Sequence, residues 1–429
     1  MMQSIKTKLY ALLRWSEKYV KTDMVYLAKG GFWLTAGQII CSLSAFSLAI
    51  VFANLVPKEV YGTYQYALSL MGILTMFTLT GMNTAVAQAV ARGFEGTLKK
   101  SFWIQLRWGV LMLFAAAGGS VYYFLRGNKI LGFALIIIGV FSPILNSANT
   151  YTAFLSGKKD FKNLSKYSAI STVVWAATLL FTLLLTKNPV WLIFAYLIST
   201  TGANVFFYIH SIKKNKPNED IDSKSISYGK HLSLINVLGT IAGSLDNILL
   251  FHYLSPASLA IYSFAGAPAD QVKGLLKSAP ALAMPKIAPH SLEETDAIIR
   301  KRLPQMILAG ALIAAVYIIL IPYLFKIFFP KYLGSIFFSR LFGINIMFMP
   351  INSLLSAIGS AKLIHVPKKW LYQGNTIPQI ILIISLLLLT PWLGITGAII
   401  SKIIFSLAAM VIPLYYWKKI VRINRKSTQ

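Results

Sequence analysis

The chain has one cysteine, Cys41, so no internal disulfide is possible and nothing can be read about redox compartment. Acidic residues are scarce too: 13 Asp and Glu stand against 41 Lys and Arg, a formal net charge of +28. In the first half only Glu17, Asp23, Glu59, Glu95 and Asp160 are acidic, all in loops or the tail. The five histidines (His210, His231, His252, His290 and His365) are scattered, and none lies at ligand spacing from another His, a Cys or a carboxylate. Neither a metal nor another cofactor is therefore expected. No glycine-rich phosphate loop follows a strand into a helix, which excludes ATP hydrolysis by this chain. Long polar intervals are missing as well. The longest, Ser211 to Tyr228, cannot hold a folded domain, which argues against an enzyme acting on a water-soluble substrate. Its Asp220-Ile221-Asp222 has the look of a sugar-nucleotide metal site, but in a Lys-rich linker it reads as a solvated charge run.

Apolar sequence is abundant. With 56% hydrophobic residues, 13% charged and a mean hydropathy of +0.64, the chain falls outside the range of soluble domains. A helix needs roughly 20 apolar residues to cross the hydrocarbon core, and stretches of that size lie at about 31–55, 63–90, 101–125, 130–155, 167–187, 189–210, 228–252, 258–285, 305–328, 335–360, 370–390 and 392–417. The expected fold is an all-α polytopic membrane protein, twelve transmembrane helices in two six-helix lobes. The domain reading is a basic amphipathic N-terminus at 1–30, an N-lobe at 31–212, a linker at 213–226, a C-lobe at 227–417 and a basic tail at 418–429. The first 30 residues lack a continuous apolar run, so they read as a surface-lying helix, not a cleavable signal peptide.

Basic residues set the orientation. Of the 41, 31 fall before, after or between every second apolar stretch: Lys6–Lys29, Arg92–Arg107, Lys158–Lys166, Lys213–Lys230, Lys286–Arg302, Lys362–Lys369 and Lys418–Lys426. The alternate turns hold six: Lys58, Arg126, Lys129, Lys187, Lys326 and Lys331. Flanking Lys and Arg stay cytoplasmic during insertion, so both termini are expected inside. The charge then belongs to a cytoplasmic rim facing anionic lipids and not to a nucleic-acid-binding face.

The remaining four cations, Lys273, Lys277, Arg340 and Lys402, lie inside apolar stretches of the second half, with Asp246 and Asp270. Ionisable residues within spans are costly and rarely face lipid. Asp270 and Lys273 are spaced for a local pair, Arg340 and Lys277 are placed to snorkel, and Lys402 is central with no partner near in sequence. An excess of buried positive charge suits an anionic ligand such as a pyrophosphate. Polar residues also recur at helical spacing: Thr80, Thr84 and Gln88; Ser142, Asn146 and Thr150; Ser168, Ser171, Thr178 and Thr182; Ser233, Asn236, Thr240, Gly243 and Asn247; Asn345, Asn352 and Ser356. Singly each stripe reads as packing between membrane helices; together they point to a shared wet cavity. Leu55 to Tyr64 after the first span is echoed by Leu254 to Tyr262 after the seventh. Because six spans is an even number, such halves would be parallel repeats about an axis along the membrane normal.

Phe52-Ala53-Asn54-Leu55-Val56-Pro57-Lys58-Glu59-Val60-Tyr61-Gly62-Thr63-Tyr64 and Leu79-Thr80-Gly81-Met82-Asn83-Thr84-Ala85 resemble the opening of polysaccharide-export flippases of the O-antigen translocase type. These belong to the multidrug/oligosaccharidyl-lipid/polysaccharide exporter superfamily. Leu245-Asp246-Asn247-Ile248-Leu249-Leu250, then Pro256 and Tyr262-Ser263-Phe264-Ala265, resembles the start of their second half, and Gly157-Lys158-Lys159-Asp160-Phe161 also fits. Where members often carry Gly and Arg, this chain has Ala260 and Asn247. The resemblance implies flipping of an undecaprenyl-pyrophosphate-linked oligosaccharide repeat across the bacterial cytoplasmic membrane for lipopolysaccharide synthesis, two lobes rocking about a central cavity. It also implies H⁺ or Na⁺ as a coupling ion, and a polysaccharide polymerase and chain-length proteins as partners. One alternative is a drug/cation antiporter of the same superfamily, which would hold acidic residues inside its cavity for a cationic drug or coupling ion. Another is a membrane-embedded repeat-unit polymerase or ligase, a class that resembles chains with a large outside loop.

The basic-residue pattern predicts the outcome of topology mapping. Reporter fusions at Lys129 and Lys331 read outside and fusions at Lys159 and Lys214 read inside; inversion at either pair overturns the orientation.

Overall fold

The computed structural model describes residues 24–276, 287, 290–361 and 368–427, and all regular structure among them is helical. In chain order the helices are α1 (Met24–Leu55), α2 (Lys58–Leu74), α3 (Met82–Ala91), α4 (Thr97–Leu125), α5 (Lys129–Ala148), α6 (Thr150–Gly157), α7 (Phe161–Leu185) and α8 (Pro189–Asn215). After a short linker come α9 (Ser223–Tyr253), α10 (Pro256–Leu276), α11 (Leu292–Phe328), α12 (Ile336–Ile346), α13 (Met349–Ala361) and α14 (Lys368–Ser427). The fold is an all-α membrane protein of twelve crossings in two six-helix lobes, α1–α8 and α9–α14. Several crossings are broken. α2 and α3 form one span bent by 53°, α5 runs into α6, and α12 into α13. α14 reverses at Gly394, whose φ of 57° is open to glycine at little cost. A Cβ on Gly397 would lie 2.1 Å from the Leu389 carbonyl oxygen, whereas eight residues of continuous helix rise about 12 Å. α14 is therefore two antiparallel spans.

Helix starts follow the polar residues that end each apolar run. Asn128, Asp160, Asn188 and Asp222 each accept a backbone N–H of the following first turn, and Ser291 with Glu294 forms a reciprocal capping box. Helices overrun the apolar stretches on the face that carries the linker: α7 begins at Phe161 instead of about 167, α9 at Ser223 instead of about 228, and α11 at Leu292 instead of about 305. Hydropathy marks where lipid ends, whereas the caps mark where the helix begins. α8 likewise runs to Asn215, so the non-helical linker is only 216–222.

The two lobes repeat one packing device. In the first, a Cβ on Gly109 of α4 would sit 2.6 Å from Pro143 of α5; in the second, a Cβ on Gly310 of α11 would sit 2.1 Å from the Met347 carbonyl oxygen just past α12. Gly139 on α5 and Gly343 on α12 face Ala116 and Tyr317 in the same way. Third and fourth spans of each half thus approach closely at glycines, the usual route to close approach in membranes.

Between lobes the helices meet at both faces. On the face opposite the linker, Gly62 packs on the carbonyl of Pro256, Tyr61 stacks on Phe264 at 4.3 Å, and Tyr66 stacks on Phe251 at 3.8 Å. Asn54 donates to the Phe328 carbonyl at 3.0 Å, and Lys331 donates to the Asn54 carbonyl at 2.6 Å. The two echoed turns, Pro57–Tyr64 and Pro256–Tyr262, therefore lie against each other. On the linker face Ser233 accepts the Gly81 N–H at 3.0 Å, satisfying a donor freed by the α2–α3 break. The linker itself is clasped. Asn218 accepts the N–H groups of Glu95 and Gly96 and donates to the Gly93 carbonyl at 2.8 Å. Arg92 pairs with Asp222 and donates to Ser225 at 2.7 Å, and Thr97 accepts the Asp222 N–H at 3.0 Å. Asp222 is thus an N-cap and ion-pair partner, not a solvated charge run. The Ser225 backbone N–H, its hydroxyl and the Arg92 guanidinium hold the Asp222 carboxyl below the usual range.

Two stability outcomes are expected of the purified protein. Gly310→Ala lowers thermal stability, since overpacking costs about 1–3 kcal/mol, whereas Gly118→Ala, with open space around its Cβ position, does not; equal melting temperatures would refute the close-approach account. The second outcome concerns the clasp. A carboxyl with a depressed folded pKa adds stability above its unfolded value of about 3.9, which is lost as pH falls through the folded value. Asp222→Asn keeps a capping acceptor but loses the charge. Its melting-temperature deficit is full at neutral pH and closes as pH drops below about 4; a deficit independent of pH would assign the effect to packing.

Candidate functional site

Four helices of the second lobe converge on one charged cluster. Asp246 of α9 is 2% exposed at its side chain, and its Oδ2 lies 2.5 Å from the Lys402 Nζ on the second limb of α14. Tyr262 of α10 donates its hydroxyl to the same oxygen at 2.5 Å. The Lys402 ammonium stands 5.2 Å from the ring centre of Tyr262 and 5.9 Å from that of Phe342 on α12. The other carboxylate oxygen, Oδ1, is buried with no hydrogen-bond partner among the described residues. One turn farther along α14, Ser406 donates to Asn345 at 2.5 Å, and Asn352 donates to the Ser406 carbonyl at 3.3 Å.

Lys402 keeps 31% of its side chain accessible. Leu407, Val411 and Tyr415 form the exposed apolar stripe of this limb. At about 100° per residue Lys402 points roughly 180° away from the middle of that stripe. Its accessible side faces the protein interior, where an ammonium has donors to spare beyond the one given to Asp246.

The other sequence-derived candidates fall elsewhere. On α10, Tyr262, Gly266, Asp270 and Lys273 share one face by their spacing. Asp270 and Lys273 are exposed and make no ion pair with a described residue, so the expected local pair is not formed. They lie about 12 and 16 Å along the helix from Tyr262. Arg340 is exposed beside Phe337 and Ile344, on the opposite face of α12 from Phe342. That apolar setting separates it from Lys402. Lys277 lies outside the described residues.

The polar stripes divide between two roles. Thr80 is not on a helix: α2 passes through a 3₁₀ turn, Thr75–Thr78, and Leu79 in the left-handed region, so only Thr84 and Gln88 share the exposed face of α3. Ser142 and Thr150 are buried, and Asn146 donates to the Ser142 carbonyl at 2.9 Å. Asn345 and Asn352 tie α12 and α13 to α14. These act as packing glue. Asn236 remains exposed on α9, while Ser233 and Asn247 of the same stripe bond to Gly81 and Ser69 across the lobe boundary. Sequence reasoning missed Tyr262 and Phe342 as functional groups. Tyr262 stood within the echoed turn, but no local signal marked Phe342.

A family model described as polysaccharide biosynthesis protein matches residues 27–288, more than half of the chain. No curated protein matches by sequence. Among solved structures, an inward-facing multidrug resistance MATE family transporter of the MOP superfamily superposes with a TM-score of 0.66 at 14% identity, covering 90% of this chain and 96% of the other. The lipid II flippase MurJ in an inward closed conformation gives 0.62 at 14% identity, over 90% and 89%. A MOP superfamily transporter from Pyrococcus furiosus, with a binding pocket of reverse polarity, gives 0.61 at 13% identity, over 92% and 96%.

Proposed function

The chain belongs to the polysaccharide biosynthesis protein family, and from that premise we propose that it flips a lipid-linked oligosaccharide repeat unit across a bacterial cytoplasmic membrane. The carrier lipid is of the undecaprenyl-pyrophosphate type, and the product feeds surface polysaccharide such as O-antigen. The observation that carries this reading is Lys402, an ammonium inside a membrane lobe whose accessible side faces away from the lipid-facing stripe. Lys273, exposed on the Tyr262 face of α10, adds a second cation nearer the linker face. Attraction of a pyrophosphate in a partly dehydrated interior exceeds that in bulk water by roughly fourfold at an effective dielectric of about 20. The polyprenyl tail stays in lipid while the head group crosses between the lobes, 31–212 and 227–417, by alternating access. Both termini then lie in the cytoplasm, with anionic lipids at the basic rim. The protein works by transport and not by catalysis, alongside a polymerase and chain-length proteins, and H⁺ or Na⁺ coupling falls to the exposed Asp270.

A drug/cation antiporter is the second reading, favoured by the multidrug-transporter fold likeness. The ion pair on Asp246 weighs against it, because the most buried carboxylate of the second lobe is already neutralised by the chain's own ammonium.

Export assays separate these readings. Lys402→Ala and Lys273→Ala each reduce surface glycan about tenfold, a loss of about 1.4 kcal/mol in head-group recognition, at unchanged protein level in the membrane. Lys402→Arg keeps part of the activity, since charge is retained while the compact ammonium is lost. Normal export by both alanine variants would sink the cationic-interior reading.

A further inference from the structure

We propose that Asp246 is a built-in competitor for Lys402, masking its charge so that an anionic head group binds weakly enough to be released. The inference rests on the head-group reading above. The geometry of the carboxylate supports it. Both donors, the Lys402 ammonium and the Tyr262 hydroxyl, converge on Oδ2 at 2.5 Å, while Oδ1 is buried and unpartnered among the described residues. A buried ion pair that serves stability alone has its remaining lone pairs satisfied; this one is satisfied on one side only. Tyr262 pins the carboxylate independently of the lysine, so Asp246 keeps a donor if the ammonium leans away. The rings of Tyr262 and Phe342 flank the ammonium at 5.2 and 5.9 Å, giving it a weak second resting place that costs no charge. Its open side faces the interior.

The ligand class follows from the chemistry. A phosphate or pyrophosphate oxygen reaching the open side meets a cation whose field is largely cancelled by a carboxylate 2.5 Å away. Binding then depends on a partial exchange of one anion for another. Affinity is held down, and the retained Asp246 recaptures Lys402 when the head group leaves. A carrier that releases its cargo on the far side gains from this, because a fully unmasked buried cation would hold a polyanion too tightly to turn over.

The test uses the full-length purified protein in lipid nanodiscs with a short-chain polyprenyl pyrophosphate as probe, and reads binding and, in proteoliposomes, flipping rate. Asp246→Asn is expected to bind the probe about tenfold tighter than the native protein and to flip it more slowly. Lys402→Gln and the double variant Asp246→Asn/Lys402→Gln bind at least tenfold more weakly than Asp246→Asn. A carboxylate that merely supports the fold predicts the opposite sign, weaker binding in Asp246→Asn. If Lys402→Gln loses binding but Asp246→Asn gains none, the head-group reading stands and the masking fails. If Lys402→Gln binds like the native protein, the head-group reading itself falls. Inorganic pyrophosphate competing only at much higher concentration supports the lipid-linked source; competition at equal concentration overturns it in favour of a free anion. Should Asp246→Asn not accumulate as folded protein, Tyr262→Phe removes the hydroxyl that holds the carboxylate when the ammonium leans away, so Asp246 grips Lys402 more firmly and probe binding should weaken about threefold; unchanged or tighter binding would refute the masking.

Discussion

A carboxylate cannot sit inside a membrane-spanning lobe without a counter-charge, and this constraint fixes how four helices of the second lobe meet. Asp246 draws Lys402 from a helix more than 150 positions away, and the two hold α9 and α14 in register. Tyr262 brings in α10 through the same oxygen, and Phe342 closes the ring from α12. Removing Asp246 or Lys402 would leave the other as a buried charge without its counter-charge. The cluster is therefore the organising centre of the lobe.

A related constraint governs the broken helices. In lipid every backbone donor and acceptor must find a partner inside the protein, so a span can break only where another helix supplies the missing group. The α2–α3 bend meets that condition through Ser233 of the other lobe. Threonine hydroxyls bond back to carbonyls at Thr75 and Thr78, which eases the chain out of the α-helix before the left-handed Leu79. The irregular part of the first lobe is thus completed by the second. Breaks and lobe contacts are one design problem.

Much of this was readable from the sequence. Twelve apolar stretches, the even split and the echoed prolines predicted the twelve-span, two-lobe fold. The polar caps Asp160, Asp222 and Ser291 explain why helix ends ran past the apolar limits: a cap is a single side chain, and hydropathy averaged over a window blurs it. The site was legible only in its ingredients. Asp246 and Lys402 stood out as costly residues, but their pairing depends on how spans seven and twelve pack, which no local pattern encodes. Arg340 shows the converse. It looked like Lys402 in sequence, yet its face of α12 is set by Phe337 and Ile344, three before and four after. Thr80 fell out of its stripe because three threonines and a glycine close together weaken a helix that periodicity alone assumes to be intact.

The clasp around 216–222 has a mechanical consequence. A joint made by Asn218, Arg92 and Asp222 is a fixed bearing, not a slack tether, and the first helix beyond it acts as a lever arm. α9 has 31 residues, about 46 Å of rise. A tilt of about 10° about the clasped end would carry its far end through roughly 8 Å, taking the rise per residue as the only input. In the alternating-access motion proposed above, displacement would be near zero at the linker and largest where Gly62 meets Pro256, so the small-residue contact at that distant rim would be where a modest rotation becomes an opening.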